Sequence, residues 1–413
     1  MVARRCKSLV ALVAAVAMIA VFAGTASAGR RSVAAAGAAT CDSPGVTDST
    51  IKIGVLGELS GAQAATFADL IKGLKARLAK LQDDGGLPGG RNIEFVVADD
   101  GADDTQNLTA AKRLVEEENV FMVFEITSHS RGSASYLHQK GIPVVGWAID
   151  PVWGTYDNFF GYRNSFSKNP ESHTTVAPTL LKKLGAKRIA VLGFDNSASQ
   201  SSVKNAVASI KQFGLKVAYQ AIVPAGSTEF TAIAQKMKEK KADGIYTAMD
   251  FLQNAPMMQA VIDAGIRDQF KAFVFPFGYD PRIPAAFPSL EGGVVGTDFK
   301  PYELNLPGHQ AFFKYYAQVN GADAVASQIS MVAWLSAEAM IKGFEVAGDC
   351  PTQAGYIKKL RKVKGFDADG LIQPVDFKTA FGKPILCLYY VQLQAAKWVP
   401  LFNGQPLCGK ELK

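Results

Sequence analysis

The chain has 413 residues, 48% hydrophobic and 20% charged, with 38 Gly and 19 Pro. That excludes a disordered chain, a coiled coil and a collagen-like repeat, and at ~100–200 residues per domain it allows two or three domains. The formal charge of +7 would suit an anionic partner such as nucleic acid, unless part of the chain is removed after synthesis.

The first 28 residues read as that removable part. Arg4, Arg5 and Lys7 form a basic start, Leu9 to Gly24 is an almost unbroken apolar run, and Ala26-Ser27-Ala28 supplies a small-x-small cleavage site. The run is short of the ~20 residues a membrane span needs. We therefore expect a secretory signal cleaved near Ala28 and an extracytoplasmic product, in the periplasm or at the cell surface. Loss of three basic residues lowers +7 to +4, which leaves no case for nucleic acid. Residues 29–40 are Ala-rich and read as a flexible tether. Acylation of Cys41 is a second option, although Ala38-Ala39-Thr40 is a poor lipobox.

Strand and helix patterns then alternate. Ile51 to Leu56 is a β-rich run, and Phe67, Leu70, Ile71, Leu74, Leu78 and Leu81 share a helical face. Gly85 to Gly90 turns the chain into a strand at Ile93 to Ala98. Asp103-Asp104-Thr105 can cap a helix from Gln106 to Glu117. Strands follow at Val120 to Phe124 and Ile142 to Val145, with a helix at Arg131 to Gln139 between them. This rhythm predicts a parallel sheet covered by helices on both faces, with ligands beyond the carboxyl ends of the strands. The loops at those ends are Gly57 to Gly61, Asp99-Asp100, Glu125 to Ser130 and Gly146 to Trp153.

The rhythm restarts after Ser165. Helices are expected at 173–184, 200–213, 230–240 and 253–264, and strands at 188–192, 216–222, 244–248, 273–276 and 293–295. Helical pattern returns at 309–319, 328–347 and 352–363, and strands at 385–392 and 397–401 close the chain. The last helices should complete the first α/β unit and the last strands the second.

With Cys6 in the signal, Cys41, Cys350, Cys387 and Cys408 remain, which allows two disulfides in three connectivities. No C-x-x-C pair suggests zinc or redox chemistry. Serine-hydrolase, zincin and P-loop signatures are absent from the sequence, and the four histidines are scattered, so neither an enzyme, a metal site nor a cofactor is expected.

The order and spacing of several segments resemble one family. They are Ile51-Lys52-Ile53-Gly54-Val55 with Leu59-Ser60-Gly61, the turn Gly85 to Glu94, Asp99-Asp100, Gly141 to Val145 and Gly185 to Val191. From Cys41 onward the chain resembles the type I periplasmic solute-binding proteins of ABC importers, in the branched-chain amino-acid (Leu/Ile/Val-binding) branch. The resemblance implies two Rossmann-like lobes with parallel sheets, joined by three hinge strands, that close on a solute. It places crossings near Ser165, Phe299 and Pro374. Lobe one is then 41–164 plus 300–373, and lobe two 165–299 plus 374–413. Within that layout the disulfides become Cys41–Cys350 and Cys387–Cys408. The implied partners are a small-molecule ligand and an ABC permease, with the binder itself a monomer. A sensor that presents ligand occupancy to a membrane receptor is the alternative.

The resemblance also places the site. Ser128 falls where relatives hold a ligand carboxylate, though an N-capping serine would look the same. Ala148 and Asp150 fall where a carbonyl and a hydroxyl hold an ammonium, though Asp150 also suits a loop cap before Pro151. The relatives' ammonium-binding glutamate falls near Phe277, and their cleft tyrosines near Ala198, Asp250 and Thr66. Asp150 and Asp250 are candidates to replace the lost glutamate, and Phe277 and Tyr279 to form an aromatic wall. Trp147, Trp153, Phe67 and Gln328 are further candidates for the lining. A branched-chain or other amino acid is the family's default ligand; an aromatic or apolar carboxylate is the rival.

Overall fold

The computed structural model describes residues 41–169 and 171–412. The expected signal and tether lie outside them.

The first sheet is wholly parallel. Its strands are β1 (Thr50–Gly57), β2 (Asn92–Asp99), β3 (Val123–Ile126), β4 (Val144–Ala148) and β5 (Phe159–Asn164), in the order β2-β1-β3-β4-β5. In β1, Ile51, Ile53, Val55 and Leu56 are all buried, because helices cover both faces of a parallel sheet. β5 has no counterpart in the sequence reading. Gly161 weakens its strand signal, and Arg163 and Asn164 end the apolar run.

The second sheet takes β7 (Arg188–Phe194), β8 (Lys216–Val223), β9 (Gly244–Ala248), β10 (Ala272–Phe275), β11 (Val294–Thr297), β12 (Cys387–Gln394) and β13 (Lys397–Pro400). Their order is β13-β12-β11-β10-β9-β7-β8, and β12 runs antiparallel to both β11 and β13. The five strands β7 to β11 are parallel as expected, and the closing pair joins them antiparallel because the chain re-enters the sheet from the hinge side on its last pass. A small pair, β6 (His173–Thr174) with β15 (Glu411–Leu412), and the strand β14 (Leu407–Cys408) on β12 complete the second lobe.

The segment expected to cross near Pro374 still packs on the first sheet, where the Phe377 ring meets Phe160 at 6.1 Å. The chain reaches the hinge at Ile385, whose N–H donates to the Asn164 carbonyl. Both disulfides join the expected cysteines: Cys41 with Cys350, and Cys387 with Cys408 between β12 and β14. With its sulfur in a disulfide, Cys41 cannot also carry a thioether lipid.

Two features hold the cleft side of lobe one. The helix Leu70–Asp83 buries its leucine face, as its spacing predicts, and lies against the helix Gln328–Ala347. At their contact a Cβ on Gly73 would sit 2.0 Å from the Ser330 carbonyl oxygen, so only glycine permits the approach. One turn on, Arg77 and Glu338 form a buried ion pair at 2.6 Å. Beneath the strand ends lies the second feature, a buried polar cluster. Asn107 donates to Asp100 at 3.1 Å and to Glu125 at 3.4 Å. Burial pushes the Glu125 carboxyl from 4.5 up to about 8.

Gly73→Ala is expected to cost ~1–3 kcal/mol through overpacking. The check is a lower urea midpoint with an unchanged m-value. The folded chain also binds the Glu125 proton more tightly than the unfolded chain. That contribution to stability is complete below pH 4.5 and is lost as pH rises through about 8. Calorimetric melting across this window should show a flatter decline for Glu125→Gln than for the natural chain.

Candidate functional site

The carboxyl ends of both sheets face a common cleft, and a cavity of about 220 Å³ opens there. Lobe one supplies Phe67, Ser128 and Trp147 to its lining, and lobe two supplies Phe194, Ala198 and Phe277. The Trp147 and Phe277 rings meet edge to face across the cleft at 5.2 Å. Phe275 is also on the lining, although its other face stacks on Phe273 at 4.9 Å.

Polar pairs tie the lobes together around this wall. Thr66 Oγ1 donates to Asp250 at 2.9 Å, Ser197 Oγ to Asp150 at 2.9 Å, and Asn196 Nδ2 to Gln63 at 2.9 Å. Gln328 Oε1 accepts from the backbone N–H groups of Gly278 and Tyr279, both at 3.2 Å, while its Nε2 donates to the Pro276 carbonyl. Farther out, Arg282 bridges to Asp69 at 2.7 Å.

These partners decide what each expected site residue can do. Asp150 accepts from Val152 N–H as well as Ser197, and Asp250 caps its helix by accepting from Leu252 and Gln253 N–H. Burial pushes both carboxyls upward, which disfavours the charged form an ammonium would need. The Ala148 carbonyl accepts the Ser165 N–H. Thr66, Ala148, Asp150 and Asp250 are therefore gathered at the cleft, but none is on the cavity lining. Tyr279 lies elsewhere: it stacks on Tyr302 at 4.8 Å, meets Trp398 edge-on and donates to Glu303. Trp153 donates to Ser130 and packs on Phe159, also away from the lining. Phe67, Ser128, Trp147, Phe277 and Gln328 do line the cavity.

Ser128 has an occupant that the sequence reading missed. Its N–H and Oγ both donate to Glu58 Oε2, at 3.2 and 2.8 Å. The chain's own carboxyl thus fills the position where the resemblance would put a ligand carboxylate. Burial pushes Glu58 up to about 7, although the nearby His129 and the Ser128 hydrogen bond oppose the rise. Glu58 lies in the first strand-end loop, so its neighbourhood was legible although its role was not. Arg163 and Asp298 were missed altogether. They form an ion pair on the lining where the chain passes between the lobes. The available signal was a lone arginine ending the apolar run Phe159-Phe160-Gly161-Tyr162.

Residues 50–397 match the model of the family described as periplasmic binding protein. A Brucella abortus protein named Leu/Ile/Val-binding protein homolog 7 is 26% identical over 359 residues, covering 80% of this chain and 84% of that one. Among solved structures, a solute-binding protein of an ABC transporter from Rhodopseudomonas palustris, in complex with p-hydroxybenzoic acid, is 19% identical. It superposes with a TM-score of 0.72, over 87% of this chain and 97% of its own. A branched-chain amino acid transporter substrate-binding protein from Streptococcus pneumoniae, in complex with isoleucine, is also 19% identical. Its TM-score is 0.68, over 88% of this chain and 99% of its own. The match spans most of the chain and agrees with its two facing α/β lobes: the chain belongs to the periplasmic binding protein family.

Proposed function

We propose that the chain is the extracytoplasmic solute-binding component of an ABC importer, and that its solute is a small carboxylate with an aromatic or apolar body. One observation carries the choice of solute: the acids that the resemblance offers for an ammonium, Asp150 and Asp250, are engaged by hydroxyls and helix N–H groups, and Asp298 on the lining is paired with Arg163, whereas the cavity itself is walled by Phe67, Trp147 and Phe277. A buried carboxylate already supplied with donors gains little from a further cation. An aromatic wall suits a ring or an alkyl body. The p-hydroxybenzoate-bound relative in structure fits this reading.

The two lobes would close on the solute about segments near Ser165, Phe299 and Ile385, and an ABC permease would receive it. The proposed signal, cleaved near Ala28, would place the monomeric protein outside the cytoplasm. The second reading is a branched-chain amino acid, favoured by the Brucella relative's name and by the isoleucine-bound structure. It requires Asp150, Asp250 or Asp298 to exchange a present partner for the ammonium.

A thermal-shift panel separates the two, since a bound solute raises the melting temperature by linkage. Benzoate and 4-hydroxybenzoate are expected to raise it; leucine, isoleucine and valine are not. The reverse pattern would refute the carboxylate reading. Phe277→Ala is expected to weaken 4-hydroxybenzoate by ~1–3 kcal/mol through lost apolar contact. Asp250→Asn keeps a helix cap and should leave that affinity nearly unchanged. Calorimetric titration reads both.

A further inference from the structure

The cavity continues past the cleft into the second lobe, beneath the helix Ser197–Gln212. There Ser202 and Asn205 line it opposite Tyr246 of β9 and Tyr390 of β12. A helix packed on a sheet normally presents an apolar stripe. This one turns a hydroxyl and an amide toward the same space.

Arg163 also lies on the lining of this cavity, with its side chain only 14% exposed. Its Nε pairs with Asp298 Oδ2. That same oxygen accepts from Trp147 Nε1 at 3.1 Å and from Tyr162 Oη at 2.8 Å. Three side chains thus converge on Asp298 Oδ2, and Oδ1 is buried without a hydrogen-bond partner. Among the described residues no hydrogen bond engages Arg163 Nη1 or Nη2. Nor does any lysine or second arginine line the cavity. A largely buried guanidinium with its terminal fork unengaged is suited to a planar, bidentate carboxylate. The other anion position, at Ser128, is filled by Glu58.

We propose that Arg163 anchors the solute's carboxylate through Nη1 and Nη2, with the apolar body lying toward Phe67, Trp147 and Phe277. The assignment rests on the carboxylate reading above. It turns the solute away from Ser128 and toward the hinge. It also makes Arg163 the residue that selects for an anion.

The test compares acid with amide on the full chain, by calorimetric titration of 4-hydroxybenzoate and 4-hydroxybenzamide. The natural chain is expected to favour the acid by ~10-fold or more, as a charge-assisted hydrogen bond would give. Removing Arg163 alone would strand a buried carboxylate. The first variant is therefore the pair Arg163→Gln with Asp298→Asn, in which acid and amide should bind alike. Arg163→Lys, which keeps the charge and loses the fork, should weaken the acid more than the amide. Ser128→Ala should keep the acid preference. The assignment is overturned if the double variant still prefers the acid, if Arg163→Lys weakens both equally, or if Ser128→Ala abolishes the preference. In each of those outcomes the natural chain still binds the acid, so the carboxylate reading survives. If the natural chain binds isoleucine and neither benzoyl compound, that reading falls and the assignment falls with it.

Discussion

The cleft is governed by the cost of burying a carboxylate. Glu58, Asp150, Asp250 and Asp298 are each at most 4% exposed. An isolated ionised carboxylate in such a place is prohibitive, so each must be neutral, paired or surrounded by donors. The structure uses all three solutions. Glu58 is pushed toward the neutral form, Asp298 is paired, and Asp150 and Asp250 sit at helix starts where N–H groups converge. What the lining keeps beside these acids follows from that distribution: an aromatic wall and the outer edge of the Arg163 guanidinium.

The same polar groups make the cleft adjustable. Thr66 with Asp250, Ser197 with Asp150 and Asn196 with Gln63 join opposite lobes. Each such bond exchanges with water when the lobes part, so its net worth is ~0.5–1.5 kcal/mol. A handful of them biases the lobes toward contact without locking them. A solute need add only a modest differential affinity to move that balance.

Much of the architecture was legible because it is periodic. The leucine face of the helix 70–83, the β1 run and the glycine turn at 85–90 are local patterns, and each appears where its spacing predicts. Asp103 caps its helix through Thr105 and Gln106 N–H, as its position before the helix suggests. β5 was hidden by Gly161, and the mixed character of the second sheet by the path of the final crossing. The site was less legible because its partners are far apart in sequence. Thr66 and Asp250 lie 184 residues apart, and Tyr162 and Asp298 lie 136 apart. No local spacing says that Tyr279 joins Tyr302 and Trp398 in a core, or that Glu58 reaches Ser128. Asp150 shows the limit most plainly, since turn chemistry suggested a cap and the resemblance a ligand, and the sequence alone could not say that the cap bond to Val152 is made.

The helix Gln328–Ala347 gives lobe one a spine. Its twenty residues span ~30 Å at 1.5 Å per residue. One end presents Gln328 to the backbone of lobe two, and the other leads directly to Cys350 and its bridge to Cys41. Gly73 seats it against the neighbouring helix with no slack, and Arg77 grips it at Glu338. A rod held at its foot and along its shaft cannot tilt by itself. Gln328 is therefore a fixed point of lobe one, and any parting of the lobes has to break its bonds to Pro276, Gly278 and Tyr279 and leave the rod itself in place.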